Sequence, residues 1–359
     1  MLIAMHKNFE LNGQLFKSKN DLISFSKSIS SEIALFLIDF LDESDTIKLQ
    51  TSGSTGNPKV IEVKKEFMVN SAKATGEFFH MKENTTALLC ISPNYVGGKM
   101  MLVRALVLGW KLDIVEPNSN PLKEIQKSYD FCAMVPMQVV GSLMYLNKIK
   151  TLIIGGGVVS KTLFDALQNV TTNCFSTYGM TETVSHIALM KLNKQSNAKL
   201  VLVSHYKVLP DIIISSDNRN CLVIDAPKIS GNRIITNDVV EIISDTEFKW
   251  LGRYDNIINS GGVKLNPEKI EEKLSEIILK RFFVAGLPDP ILGEKMVLII
   301  EDLNVTSTTL SNQKNVISNK VRNLKSLSKY EVPKEIYFVS KFIETETKKI
   351  QRQKTLDLI

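Results

Sequence analysis

The chain has 359 residues, 44% of them hydrophobic and 23% charged, and a formal charge of +6. That length suits two or three domains, and the composition is globular rather than disordered or fibrous. Short, scattered lysine clusters argue against a nucleic-acid partner, and no apolar window is long enough for stable membrane insertion. Met1 to Glu10 lacks a secretory-signal pattern, and Cys90, Cys132, Cys174 and Cys221 lie far apart beside apolar runs, as buried free thiols do; the expected location is therefore cytoplasmic.

Asp21 to Glu43 carries Leu22, Phe25, Ile29, Ile33, Phe36, Leu37 and Phe40 at helical spacing, which predicts one or two amphipathic helices. Ile47-Lys48-Leu49-Gln50 and Val60-Ile61-Glu62-Val63 then read as strands on either side of Thr51-Ser52-Gly53-Ser54-Thr55-Gly56-Asn57-Pro58-Lys59. Glycine permits φ > 0 and brings backbone N–H groups near a ligand, while lysine adds a mobile cation, so this hairpin tip suits a triphosphate. In ordinary NTPase phosphate loops Gly-Lys-Ser/Thr runs straight into a helix. Here Pro58 keeps Asn57 out of helical geometry and a strand follows. Taken alone, the stretch could equally be a surface turn.

Lys65 to Phe79 follows as a helix, Thr86 to Ile91 as a buried strand, Lys99 to Leu108 as a helix and Lys111 to Val115 as a strand. Met134-Val135 and Leu152-Ile153-Ile154 continue an alternation that predicts an α/β fold with a mostly parallel sheet covered on both faces. Gly155-Gly156-Gly157 comes directly after a strand, where ligands of open α/β sheets collect, although a tight strand-to-helix turn also needs glycine. Beyond Lys191, short apolar runs and frequent turns predict a β-rich subdomain. Arg253 to Lys264 is polar and glycine-bearing, as a linker would be. After it come a helix over Pro267 to Leu279, strands at Phe282 to Val284 and Met296 to Ile300, an exposed loop over Leu303 to Gln313, and a helix over Ser318 to Leu327.

Four further stretches carry chemistry. Ser176-Thr177-Tyr178-Gly179-Met180-Thr181-Glu182-Thr183 offers a ring, hydroxyls and a carboxylate, suited to a base, a phosphate and Mg²⁺. Asn237-Asp238 sets a carboxylate between apolar pairs. Leu251-Gly252-Arg253-Tyr254-Asp255 continues through Ser260-Gly261-Gly262-Val263-Lys264-Leu265-Asn266-Pro267-Glu268, and Thr347-Lys348-Lys349-Ile350-Gln351-Arg352 lies near the C-terminus. With the hairpin tip, these five motifs in this order resemble the adenylate-forming superfamily of acyl-CoA synthetases, adenylation domains and luciferases, from about Gln50 to Arg352.

The resemblance implies a large N-terminal lobe (1–252) of mostly parallel sheets and helices plus a β-rich subdomain. A hinge and linker (253–266) and a small mobile α+β C-terminal domain (267–359) would follow. Its co-substrates and cofactor would be ATP, coenzyme A and Mg²⁺. Thr51, Ser52, Gly53, Ser54, Thr55, Gly56 and Lys59 would hold the ATP phosphates. Gly155, Gly156 and Gly157 would sandwich adenine with Tyr178, next to Gly179. Thr181 would meet the α-phosphate, Glu182 the Mg²⁺, and Asp238 the ribose, with Arg253 in support. Asp255 would be the hinge, and Gly261 and Gly262 would line the channel for the pantetheine arm. Lys349 would reach the reacting phosphate; Lys348 stands where the family usually has Gly and competes for the role.

Two departures from the family pattern stand out. The phosphate loop begins much earlier in the chain than usual, which leaves part of the acid pocket open or covered by a partner subunit, a homodimer being one arrangement. Tyr95 stands where relatives often have histidine, beside Gly98. Within the superfamily the chain resembles the o-succinylbenzoate–CoA ligases of menaquinone synthesis. Such an acid needs a fixed cation for its second carboxylate: Arg104 is the first candidate and Lys99 the second, with Ser185 and His186 at the same pocket. Arg104 could instead reach the surface from an apolar helix. A synthetase for another carboxylic acid, or a non-catalytic nucleotide-binding module, would carry many of the same motifs.

Overall fold

The computed structural model describes residues 3–50, 60–193, 205–303, 307–345 and 349–359. A short hairpin of β1 (Glu10–Leu11) and β2 (Gln14–Leu15) precedes α1 (Lys19–Ile29) and α2 (Ser31–Leu41). Ser18 and Ser30 cap these helices by accepting from the backbone of Asp21 and Ile33. Next come β3 (Thr46–Gln50), β4 (Val60–Lys64), α3 (Lys65–Phe78), β5 (Thr86–Leu89), α4 (Val96–Leu108), β6 (Lys111–Ile114) and β7 (Tyr129–Met134). They are followed by α5 (Pro136–Ser142), β8 (Ile149–Ile154), α6 (Lys161–Leu167), β9 (Asn173–Gly179) and β10 (His186–Lys191). The expected β-rich part is β11 (Tyr206–Val208), β12 (Ile213–Ser216), β13 (Cys221–Asp225), β14 (Ile234–Ser244) and β15 (Glu247–Arg253).

One 13-stranded sheet runs β12-β13-β14-β15-β11-β10-β9-β8-β7-β5-β6-β1-β2. From β9 to β1 the pairs are parallel, and from β9 to β12 they are antiparallel, so β9 is the strand at which the sheet changes character. Alternation along the parallel strands feeds two cores. Ala87, Leu89, Phe131, Ala133 and Ile153 face a core shared with α3 and α4. Leu88, Cys132, Met134, Leu152, Ile154 and Cys174 face the other, against α5 and α6. Helix α4 is buried at Met100 to Leu106, and its one charged buried residue, Arg104, goes inside with it. All four cysteines are buried free thiols.

The expected hairpin exists: β3 and β4 pair antiparallel with Gln50 opposite Val60. The residues between them, including the expected phosphate-binding Thr51, Ser52, Gly53, Ser54, Thr55, Gly56 and Lys59, lie outside the described residues.

The C-terminal part differs from the sequence expectation in two places. Within the stretch read as linker, β16 (Ile258–Ser260) and β17 (Val263–Leu265) form a hairpin. Gly261 (φ +58°) and Gly262 (φ +81°) make its two-residue turn, so these glycines serve a tight reversal rather than looseness. The hairpin joins β18 (Phe282–Asp289), β19 (Gly293–Glu301) and β20 (Glu335–Val339) in a second sheet, with α7 (Pro267–Leu274) beside it. The polar run expected as a loop over Leu303 to Gln313 enters α8 (Ser307–Arg322), because Ile317 and Val321 farther along the same helix find core to cover. Finally α9 (Arg352–Leu356) follows Lys349. Arg352 binds both oxygens of Glu271 on α7 at 2.9 Å and donates to the Val284 carbonyl at 3.0 Å.

Candidate active site

The carboxyl ends of β7, β8 and β9 bring the first group of residues together. Gly155 donates its N–H to Met134 O at 3.1 Å, and Thr177 Oγ1 donates to Ile154 O at 3.3 Å. A Cβ on Gly155 would stand 2.5 Å from Thr177 Oγ1, so only glycine fits between those strand ends. Gly156 (φ +77°) and Gly157 continue the turn and are exposed.

Tyr178 is half-buried, edge-on to Phe248 at 5.2 Å between ring centres, and its hydroxyl donates to Asp238 Oδ2 at 2.8 Å. Asp238, only 7% exposed, also accepts from Trp250 Nε1 at 3.1 Å and lies 3.6 Å from the Arg253 guanidinium. The strand register explains this: Asp238 pairs with Arg253, and a bulge brings Trp250 opposite Val240 on the face that Asp238 uses. Burial, with the Asp238 carboxylate beside it, pushes the Tyr178 hydroxyl well above its ordinary value and leaves it a fixed donor. Burial opposes the charge on Arg253, but Asp238 and Asp255 together hold it above the usual arginine value. Sequence reasoning found Tyr178, Asp238 and Arg253 but passed over Trp250; reading the period-2 faces across the β14–β15 hairpin would have found it.

Past β9 the backbone tightens. A Cβ on Gly179 would come 2.3 Å from Ser185 O and 2.5 Å from His186 Cα, because β9 and β10 meet there. Thr181 to Thr183 form a single 3₁₀ turn, and Val184 follows at φ +63°, a costly conformation for a β-branched residue. Thr183 Oγ1 stabilises the turn through Met180 N at 3.0 Å and Ser185 O at 2.7 Å. The turn projects the exposed Glu182 into a pocket of about 560 Å³, opposite the base of the β3–β4 hairpin (Thr46, Glu62, Lys64) and Ser230 to Asn232.

Helix α4 carries the expected acid-pocket residues. Tyr95 precedes its first turn and is 39% exposed, while Gly98 packs so closely on the segment after β5 that a Cβ would lie 2.3 Å from Ser92 O. Arg104 and Ser185 do come together: Arg104 Nη2 donates to Ser185 Oγ at 3.1 Å, and Nε donates to Thr75 Oγ1 at 3.3 Å. His186 lies between them, with Nδ1 3.4 Å from Arg104 and Nε2 3.4 Å from Thr75. Thr75 was not singled out from the sequence. Burial, and then Arg104, hold His186 well below the ordinary histidine value, so it is neutral. Burial pushes Arg104 down to about 9, and it stays charged. Among the described residues no carboxylate lies within 4.0 Å of this guanidinium. Lys99 points elsewhere, over the Phe36 ring of α2.

The third group sits after β15. Asp255 lies in a 3₁₀ turn over Tyr254–Asn256; it accepts from Arg253 at 2.8 Å and from Asn237 Nδ2 at 3.0 and 3.2 Å. A Cβ on Gly262 would meet nothing within 4 Å, so that turn is open on one side. Lys349 is half-buried, Thr345 N donates to its carbonyl at 2.9 Å, and burial lowers its ammonium below the usual lysine value. Lys348 lies outside the described residues. No cluster of three or more His, Cys, Asp or Glu able to hold a metal occurs among the described residues.

Residues 40–211 match the family model described as AMP-binding enzyme. The chain is 36% identical to an acyl-CoA synthetase (AMP-forming)/AMP-acid ligase II-like protein of Dyadobacter fermentans, covering 91% of this chain and 93% of that one, with a TM-score of 0.59. It is 25% identical to the 2-succinylbenzoate–CoA ligase of a Geobacillus species over 87% of this chain and 68% of that protein. An o-succinylbenzoate CoA synthetase of Bacillus subtilis, solved with its acyl-adenylate intermediate, shares the fold at a TM-score of 0.66 and 18% identity, over 85% of this chain and 68% of that one. The chain belongs to the AMP-binding, adenylate-forming enzyme family. Within it, the chain is a CoA ligase of the AMP-forming, acid–thiol type.

Proposed function

We propose that the protein ligates 2-succinylbenzoate to coenzyme A at the expense of ATP, as a step in menaquinone synthesis. The observation that carries the choice of acid is Arg104, a buried guanidinium beside Ser185 with no carboxylate partner among the described residues. A second carboxylate on the substrate would supply the missing charge. In the first half-reaction one carboxylate oxygen attacks the α-phosphorus of ATP; the P–O bond to pyrophosphate breaks, and an acyl adenylate forms. In the second, a thiolate attacks the acyl carbon and AMP leaves.

Each group of residues has a part in this scheme. Adenine would lie between Gly155–Gly157 and the Tyr178 ring, whose tilt is fixed by its bond to Asp238. Asp238, already holding Trp250 and near Arg253, would take the ribose hydroxyls. Thr181 would donate to the α-phosphate. Lys349 would approach the oxygens on which charge develops, where a preorganised cation contributes most. Gly262 would leave room for the pantetheine arm. Glu182, which lines the pocket with a second exposed carboxylate, Glu62, matches the needs of a Mg²⁺ that arrives with ATP, since Mg²⁺ takes one or two carboxylates and completes its shell with water and substrate phosphates. Such an ion would neutralise phosphate charge.

The test is substrate-dependent pyrophosphate release with 2-succinylbenzoate beside simple benzoates and fatty acids. Preference for 2-succinylbenzoate supports the proposal. Preference for another acid reassigns the pocket, and ATP binding without release for any acid points to a nucleotide-binding module.

A further inference from the structure

The turn between β12 and β13 carries a guanidinium that the proposed chemistry does not use. Asp217 closes this turn on its own: Oδ1 accepts from Arg219 N and Cys221 N, each at 2.8 Å, and the Asp217 carbonyl accepts from Asn220 N at 3.0 Å. The Arg219 side chain is therefore not needed to make the reversal. Asp217 Oδ2 lies 2.8 Å from both its Nε and its Nη2 and holds the guanidinium in place. Nη1 donates to Asn237 Oδ1 at 3.0 Å, Nη2 donates to Thr236 O at 3.2 Å, and the guanidinium lies 5.1 Å from the centre of the Tyr254 ring. Because Asn237 Oδ1 is taken by Arg219, its Nδ2 is the end that faces Asp255, where it donates to both carboxylate oxygens.

We infer that Arg219 is a positioning residue for the ligase. By stacking on Tyr254 and orienting the Asn237 amide, it clamps the Tyr254–Asn256 turn in its present orientation and so sets how the enzyme divides itself between the two half-reactions. The inference rests on the reading of Asp255 as the hinge. Lysine cannot replace this arginine fully, since a point ammonium cannot hold Asp217 and Asn237 together while its charge sits over a ring.

The experiment uses the full chain and the acid that releases pyrophosphate. Adenylation is measured without coenzyme A, and thioester formation is measured from supplied adenylate. Arg219→Ala should change the ratio of the two rates by about thirtyfold or more, the worth of one cation–π contact and one charge-assisted hydrogen bond. Arg219→Lys should fall between that variant and the parent. Asp255→Ala should also move the ratio, and adding Arg219→Ala to it should move it no further. If Asp255→Ala shifts the ratio and Arg219→Ala does not, the clamp is refuted and the hinge stands. If neither does, the hinge reading falls and takes the clamp with it. Equal losses in both half-reactions make Arg219 merely structural and overturn the inference. Amide exchange over 254–260 reads the clamp even if no acid proves active: faster exchange in Arg219→Ala, with 217–221 unchanged, supports it, and unchanged exchange over 254–260 refutes it. Should Arg219→Ala fail to fold, Tyr254→Leu removes the stack and leaves the turn intact.

Discussion

Replacing Arg104 by methionine keeps most of the side-chain volume and removes the buried charge, so it separates two contributions that usually change together. In the free protein the guanidinium's partners among the described residues are neutral: Thr75 Oγ1 at 3.3 Å, Ser185 Oγ at 3.1 Å, the neutral His186 and Met101 Sδ. Each such bond contributes a net of about 1 kcal/mol, whereas desolvating an unpaired charge costs several kcal/mol. The two sides roughly cancel, and the melting temperature of Arg104→Met should stay within about 5 °C of the parent or rise. Catalysis should respond differently. Loss of a charge-assisted contact worth about 3 kcal/mol lowers kcat/KM for 2-succinylbenzoate roughly 150-fold. A monocarboxylic benzoate should lose less than about threefold, because it never made that contact. The assay is pyrophosphate release over a range of acid concentrations, with thermal melts alongside. Equal losses for the two acids would refute the carboxylate contact, and a melt lowered by about 10 °C would show that Arg104 supports the fold instead.

Lys349→Ala should suppress pyrophosphate release by at least about a hundredfold and leave thioester formation from supplied adenylate nearly intact; equal loss of both would move the catalytic lysine elsewhere, Lys348 first. Gly179→Ala should destabilise the chain by about 3 kcal/mol or more, seen as a lower urea midpoint, because its Cβ would meet Ser185 O at 2.3 Å. Burial raises Glu271 to about 7, against the pull of Arg352 and with Glu268 adding to the rise. The folded state therefore holds a proton that the unfolded state has released between pH 4.5 and 7, so this group makes stability fall as pH rises through that window. The fall is at most about 3 kcal/mol, and Glu271→Gln should flatten it. A parent melting temperature that climbs steadily from pH 5 to 8 would refute this.

Much of the fold was legible because period and burial agree. The apolar runs at Thr86 and Leu152 had to be buried strands, and the parallel sheet gives each face of them a core. The flanks of the β3–β4 hairpin were equally plain, since Ile47, Leu49 and Val63 are buried on its inner side. Composition misled where a polar helix needs only a few anchors: α8 begins amid serines and threonines and is held by Ile317 and Val321. In the site, motif residues and the companions Arg253, Ser185 and His186 were found, but other partners were not. Trp250, Thr75 and Arg219 reach Asp238, Arg104 and Asn237 only through strand register or helix packing, which no local pattern encodes.

The burial of all four native thiols has a practical consequence. Low accessibility is reinforced by chemistry, for burial pushes Cys132 far up, Cys174 to about 12 and Cys221 above its ordinary value, leaving little reactive thiolate. Maleimide dyes should therefore ignore the parent chain. Cysteines placed at Met144 and Ile291, which are 88% and 90% exposed, would then be the reactive sites, and fluorescence transfer between them would read the spacing of the two sheets with and without substrates.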